Sequence, residues 1–341
     1  LALIMPITLM MAVGNRIYNL EPHFKMIKYK HLFGPVMSRR LGISLGIDLV
    51  PYKYCPLNCV YCEVQKTTHQ VTKRESYFEV REILDELDNF MATAPHLDYI
   101  TFSGAGEPTL NSSIGEIVNY IKAKYPSYKL ALLTNGVLFN DKEVRQEILP
   151  CDIVLPSLDS ATQEGFEKIN RPCPELKVQD LIEGLVQFRK EYKGTIWLEV
   201  FLIKGINDTE EEIEALAKAI NRIKPNLVQL NCLDRPGAED WVNPIPLHNL
   251  KQIKAQFKEK TSVPVEIIAK VKYKTTESQL DTELLEMLHS TLVRRPSTAE
   301  DLSAMLDIHI NEISKVLRQL CLEKKITVKR ESRGVFYIWT S

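Results

Sequence analysis

Six short apolar runs rich in β-formers punctuate this 341-residue chain, at IDLV (47–50), DYITFS (98–103), KLALLT (129–134), DIVLPS (152–157), TIWLEVFLI (195–203) and NLVQLNCL (226–233). Between them lie segments such as FEVREILDELDNFM, IGEIVNYIKAKY, LIEGLVQFRKEY and EEEIEALAKAINRI, with apolar residues near i, i+3, i+4 and i+7 and charges in the gaps. Alternation of this kind builds a parallel sheet covered by helices. Six units are too few for an eight-stranded barrel, so the arithmetic predicts an incomplete (β/α)6 barrel, with a further strand at VPVEII; a doubly wound open sheet satisfies the same pattern.

Every unusual polar motif follows one of these runs, at the carboxyl end of a strand, where sheets of this class carry their sites. The first is the stretch KYCPLNCVYCEV, in which Cys55, Cys59 and Cys62 form a C-x3-C-x2-C cluster. Three thiolates on one short loop can ligate three irons of a [4Fe-4S] cluster and leave the fourth iron open. A structural zinc site competes, but it usually needs four ligands in two paired spacings, and His69 is the one close candidate for a fourth. Disulfides fit less well, because the seven cysteines are odd in number and mostly isolated. After the second run comes Gly104-Ala105-Gly106-Glu107-Pro108, after the third Thr134-Asn135-Gly136, after the fourth Ser157 and Asp159. Glycines let backbone approach a ligand closely, although a plain turn explains each of these motifs in isolation. Glu199, inside the fifth run, is placed to face the interior, where an unpaired carboxylate is costly unless it meets a ligand.

With its cysteine cluster and the motifs at successive strand ends, the chain resembles the radical S-adenosylmethionine (SAM) superfamily. More narrowly, GPVMSRRLGISLGIDLVPYKYC, SLDSATQEGFEKINRPCPELKVQDLIEGL and LIKGINDTEEEI resemble the Fe-S oxidoreductase group related to the tRNA wyosine-synthesis radical enzymes. The resemblance implies the incomplete (β/α)6 radical SAM barrel. It implies one [4Fe-4S] cluster on Cys55, Cys59 and Cys62, reductive cleavage of SAM to a 5'-deoxyadenosyl radical, and an electron donor such as flavodoxin or ferredoxin. It also implies that Gly104, Ala105, Gly106 and Glu107 receive the methionine amino group, that Asn135, Ser157, Asp159 and Glu199 line the cofactor pocket, and that Tyr61 packs near adenine. Ala105 departs from the commoner glycine. No cysteine precedes Cys55, whereas the wyosine enzymes carry an additional set there, so imidazoguanosine synthesis is not implied.

The formal net charge is −1, which excludes a basic surface over the whole chain and confines any nucleic-acid affinity to local patches. Arg39 and Arg40 are one such pair, suited to phosphate or carboxylate, or else to a salt bridge at the start of the barrel. Residues 1–25 are apolar at first but too short to span a membrane, and are expected to be a dispensable extension to a cytoplasmic protein. The barrel is assigned to 26–275. From 281 to 341 three helical segments and a ribbon suggest a small winged-helix domain, with Ser297 and Glu300 as a capping box and Ile310, Ile313, Val316, Leu317 and Leu320 turned inward. Arg318 and Lys329, with other cations near the wing, are candidate substrate contacts, to RNA or DNA or to a peptide. RNA modification, peptide modification and an iron-sulfur regulator are therefore all open readings.

Overall fold

The computed structural model describes residues 11–13, 16–18, 29–38, 40–233, 236–268, 282–306, 308 and 310–340. It divides into residues 1–30 and 31–341. In the first unit β1 (Met11–Val13) and β2 (Arg16–Tyr18) form an antiparallel pair.

The second unit is organised by one eight-stranded sheet. Its strands are β3 (Leu32–Ser38), β4 (Gly42–Ile47), β7 (Tyr99–Phe102), β8 (Lys129–Thr134), β9 (Ile153–Pro156), β10 (Thr195–Leu202), β11 (Leu227–Cys232) and β12 (Val265–Ile267), in the spatial order β12-β11-β10-β9-β8-β7-β4-β3. The seven strands from β4 to β12 run parallel, and β3 is antiparallel to β4. Strand order therefore follows chain order, as right-handed crossovers through intervening helices require. Those helices are α1 (Val80–Met91), α2 (Ile114–Lys124), α3 (Lys142–Ile148), α4 (Gln163–Asn170), α5 (Val178–Glu191), α6 (Glu210–Ile223) and α7 (Leu247–Lys260). Ile100, Phe102, Leu130, Leu132, Val154, Leu198, Val200 and Leu230 on the strands are fully buried, as are Ile83, Ile117, Leu185 and Leu216 on the helices. Each such side chain contributes about 1.5–3 kcal/mol, which is what keeps a continuous run like KLALLT in the sheet. Boundaries follow local chemistry: α6 begins where Thr209 accepts the Glu212 N–H and ends at Lys224 in the left-handed conformation.

The first strand lies earlier than the IDLV run. It is Gly42–Ile47, and Asp48 to Val50 already belong to the loop that leads to the cysteines. Alternation within GISLGI, with glycines where neighbours approach closely, conceals this strand from hydropathy. The Phe33 ring covers Gly46 so closely that a β-carbon there would lie 2.1 Å from it.

The C-terminal segment comprises α8 (Thr282–Arg294), β13 (Ser297–Thr298), α9 (Ala299–Leu306), α10 (Ile310–Leu322), β14 (Ile326–Glu331) and β15 (Gly334–Trp339), with an antiparallel sheet in the order β13-β15-β14. It has its own core of Leu284, Leu288, Leu292, Leu302, Ile313, Leu317, Leu320 and Ile326. The capping box falls one residue later than Ser297 and Glu300. Thr298 is the cap: its hydroxyl accepts the Asp301 N–H at 3.2 Å and the Asp301 carboxylate accepts the Thr298 N–H at 3.2 Å. The helices α8 and α9 pack on the edge strand β3.

Candidate active site

The cysteine loop leaves the sheet at Asp48 and is held on three sides. The pair β5 (Tyr54–Cys55) and β6 (His69–Gln70) closes its base. On one flank the Asn58 and Val60 N–H groups donate to Asn170 and Ile169 carbonyls at the end of α4, both at 2.9 Å. On the other, Lys53 N–H donates to the Ala105 carbonyl at 2.8 Å and Glu107 N–H to the Tyr54 carbonyl at 3.0 Å. The sequence-distant motifs thus share backbone hydrogen bonds with the cysteines.

Each of the three half-buried sulfurs accepts an N–H from a different side chain. Lys53 Nζ lies 3.3 Å from Cys62 Sγ, Asn135 Nδ2 3.5 Å from Cys55 Sγ and Asn170 Nδ2 3.4 Å from Cys59 Sγ. Such donors stabilise sulfur that carries negative charge, the state of a cluster ligand. Burial, then the Glu107 carboxylate, pushes the Cys55 thiol up to about 12, and burial, then Cys55 and Asp159, pushes that of Cys59 well above its ordinary value. Among the described residues no three His, Cys, Asp or Glu side chains converge tightly enough to hold a single ion. His69 is exposed and stacks on Tyr54 with ring centroids 4.4 Å apart, so it offers the zinc reading no fourth ligand. The donor set fits a polynuclear iron-sulfur cluster.

Beside the cysteines, Gly104 has φ of +135°, and a β-carbon there would lie 1.6 Å from Asp48 Oδ1; one on Gly106 would lie 2.2 Å from the Tyr54 carbonyl oxygen. Both positions need glycine for close approach. Ala105 tolerates a methyl group, and both of its backbone groups are used within the protein, N–H to Asp48 Oδ1 at 3.0 Å and carbonyl from Lys53. The Glu107 carboxylate is buried and accepts from Thr109 N–H and Oγ1, Thr134 Oγ1 and Asn135 N–H, at 2.6–3.1 Å. Burial raises its pKa, opposed by these donors, foremost the Asn135 N–H. It therefore fixes the loop after β8 and aims Asn135 at Cys55.

A second buried carboxylate, Asp159, organises the opposite wall. Its oxygens accept from Tyr61 Oη at 2.5 Å, Asn170 Nδ2 at 2.7 Å and Phe201 N–H at 2.9 Å, and burial raises it to about 6. The Tyr61 ring stacks on Phe201 with centroids 3.8 Å apart, so one of its faces is occupied by protein. Ser157 bridges to Glu199 across the sheet. The Glu199 carboxylate meets Arg40, so its charge is balanced within the protein. Arg39 lies outside the described residues. In the C-terminal segment Arg318 is exposed, while Lys329 pairs with Asp240 on the loop after β11 at 2.5 Å.

Lys53, Asn170 and Asp48 were not picked out by sequence reasoning. Lys53 carries one signal in the sequence, a cation two residues before Cys55; that it is buried, with φ of +62°, is visible only in the structure. Asn170 lies 111 residues from the cysteine it contacts and carries none.

Residues 49–220 match the family model of the radical SAM superfamily. The chain belongs to that superfamily. It is 33% identical over 310 residues to a UPF0026 protein of Helicobacter pylori, covering 90% of this chain and 96% of that one. It is also 33% identical over 300 residues to a protein named GTPase Obg of Brachyspira hyodysenteriae, and there the match covers 88% of this chain but 44% of the relative. The fold resembles the crystal structure of a radical SAM methyltransferase from Sphaerobacter thermophilus, with a TM-score of 0.51, 17% identity and 66% of each chain covered. The protein is accordingly an enzyme of the radical SAM class, dependent on a [4Fe-4S] cluster and SAM. No described helix is long and apolar enough to cross a membrane.

Proposed function

We propose that Cys55, Cys59 and Cys62 hold the cluster, that SAM lies between the Gly104–Glu107 loop and the wall formed by Asn135, Ser157 and Asp159, and that the substrate is RNA presented by a C-terminal winged-helix module. When bound and reduced by an external electron donor, the cluster would supply the electron for reductive cleavage of SAM, the chemistry that makes hydrogen-atom abstraction from a substrate accessible. The protein's own residues hold this chemistry in place. Lys53, Asn135 and Asn170 place N–H groups against the sulfurs, Glu107 locks the loop that carries Asn135, Asp159 holds Asn170 at the end of α4, and Arg40 neutralises Glu199.

The observation that carries the RNA reading is where the segment docks. Arg294 of α8 meets Asp48, the residue that opens the cysteine loop, and Lys329 of β14 meets the loop after β11. Because side chains alternate along a strand, Arg330 turns away from that contact, and Arg330, Lys324 and Arg318 are all exposed. Exposed cations on a module docked beside the site suit a phosphate backbone. The test is release of 5'-deoxyadenosine by anaerobically reconstituted, reduced enzyme with SAM, with and without a bulk RNA pool. Stimulation by RNA, lost in high salt, supports the reading; release indifferent to RNA overturns it.

A protein substrate is the second reading. Exposed Val328, Val335 and Leu322 offer the same segment an apolar surface, and the relative named a GTPase carries more than half its length beyond the matched part. Stimulation by protein, insensitive to salt, would favour it.

A further inference from the structure

We infer that Arg294, in the C-terminal segment, is a positioning residue for SAM, acting through Asp48 on the Gly104–Glu107 loop. The inference rests on the proposed role of that loop in binding SAM. The Arg294 guanidinium donates from Nε to Asp48 Oδ2 at 3.1 Å and from Nη2 to the same oxygen, while Nη1 is tied to the Ser290 carbonyl of its own helix at 3.2 Å. Its plane lies over the Phe33 ring, 4.1 Å from the centroid, and that ring in turn lies on Gly46 of the neighbouring strand. Both charged side chains are largely buried, at 19% and 12% exposure, so the pair is shielded from solvent screening.

The other Asp48 oxygen, Oδ1, accepts the Ala105 N–H at 3.0 Å and presses on Gly104 so closely that no residue but glycine fits. Asp48 is therefore a two-sided connector, with one oxygen on the loop and one on the C-terminal segment 246 residues away. From the far side Lys53 and Tyr54 of the cysteine loop hold the same stretch through Ala105 and Glu107. Releasing Arg294 frees the carboxylate to rotate away from Ala105 toward water, and the loop loses the hydrogen bond that holds the Ala105 N–H from this side. An enzyme that carries every cofactor contact before residue 281 thus still depends on a residue after it. By the reciprocity of linked equilibria, whatever binds the C-terminal segment and shifts α8 must also alter SAM affinity.

The experiment measures SAM affinity by equilibrium dialysis on the full-length, anaerobically reconstituted protein, with iron content and thermal midpoint recorded for each variant. Arg294→Ala should weaken SAM binding about tenfold, through the loosened Gly104–Glu107 loop and not through a lost contact to SAM. Iron content should match the parent, and Arg294→Lys should restore part of the affinity. In an Asp48→Asn background Arg294→Ala should add little, because the two act in one chain. Glu107→Gln serves as the control for the loop itself. If Glu107→Gln weakens SAM binding while Arg294→Ala does not, the inference falls and the site reading stands. If neither changes SAM affinity, the site reading fails and takes the inference with it. Loss of affinity in Arg294→Ala that tracks a loss of iron or a collapse of the thermal midpoint, without rescue by lysine, reduces Arg294 to a structural role and also overturns the inference.

Discussion

The mouth of the sheet and the outer face of the C-terminal segment use the same residue types in opposite ways. At the mouth, Glu107 and Asp159 are buried and each accepts at least three hydrogen bonds, from donors on more than one segment of the chain. On the segment, Arg318, Lys324 and Arg330 are exposed to solvent. Buried polar groups must find defined partners or cost stability, so the mouth is specified atom by atom and its chemistry is narrow. Exposed cations answer to charge and not to shape, so the outer face is specified only by its sign.

The largest effect is expected at the cysteines. Replacing Cys55, Cys59 and Cys62 together with Ala should abolish the iron-sulfur absorbance and all formation of 5'-deoxyadenosine, since no other described group of ligands can take over. Iron retained at the parent level in that variant would sink the cluster assignment.

Glu107→Ala comes next. It orphans several buried donors at once, and a loss of about 2–5 kcal/mol in stability is expected, read as a fall in thermal midpoint of several degrees. A surface-like change below about 0.5 kcal/mol would show that the mouth is not specified in this way.

A subtler effect belongs to Lys53→Met, which keeps the stem but removes the N–H from Cys62. Fewer donors to sulfur disfavour the more negative, reduced cluster, so the midpoint potential should fall by roughly 50 mV, measured by redox titration with spin-resonance detection. An unchanged or higher potential would mean that the contact does not act on the cluster.

The smallest effects are expected on the outer face. Arg318→Ala and Arg330→Ala should each weaken RNA binding and flatten its salt dependence by roughly one phosphate contact while leaving SAM affinity alone. If the salt slope does not move in either variant, RNA does not lie on this face. Lys329→Ala is a different kind of change, because it also breaks the contact with Asp240.

The amino-acid sequence by itself determined the alternation of strand and helix, and with it a parallel sheet, because hydrophobic periodicity is a local property. It also determined the cysteine spacing and the placing of GAGEP, TNG and SLDS at successive strand ends, since a motif that follows a buried run has nowhere else to go. It misplaced the first strand, where GISLGI hides β-structure behind glycines needed for the Phe33 ring, and it capped α9 one residue early because Ser297 with Glu300 and Thr298 with Asp301 offer the same spacing and local sequence does not choose between them. Only the tertiary structure decided that Asn170 faces Cys59, that Glu107 is saturated by protein donors, that Arg40 answers Glu199, and that Arg294 reaches Asp48. Each of these joins residues tens to hundreds of positions apart, and such partners are chosen by how helices and strands pack, which no window of sequence contains.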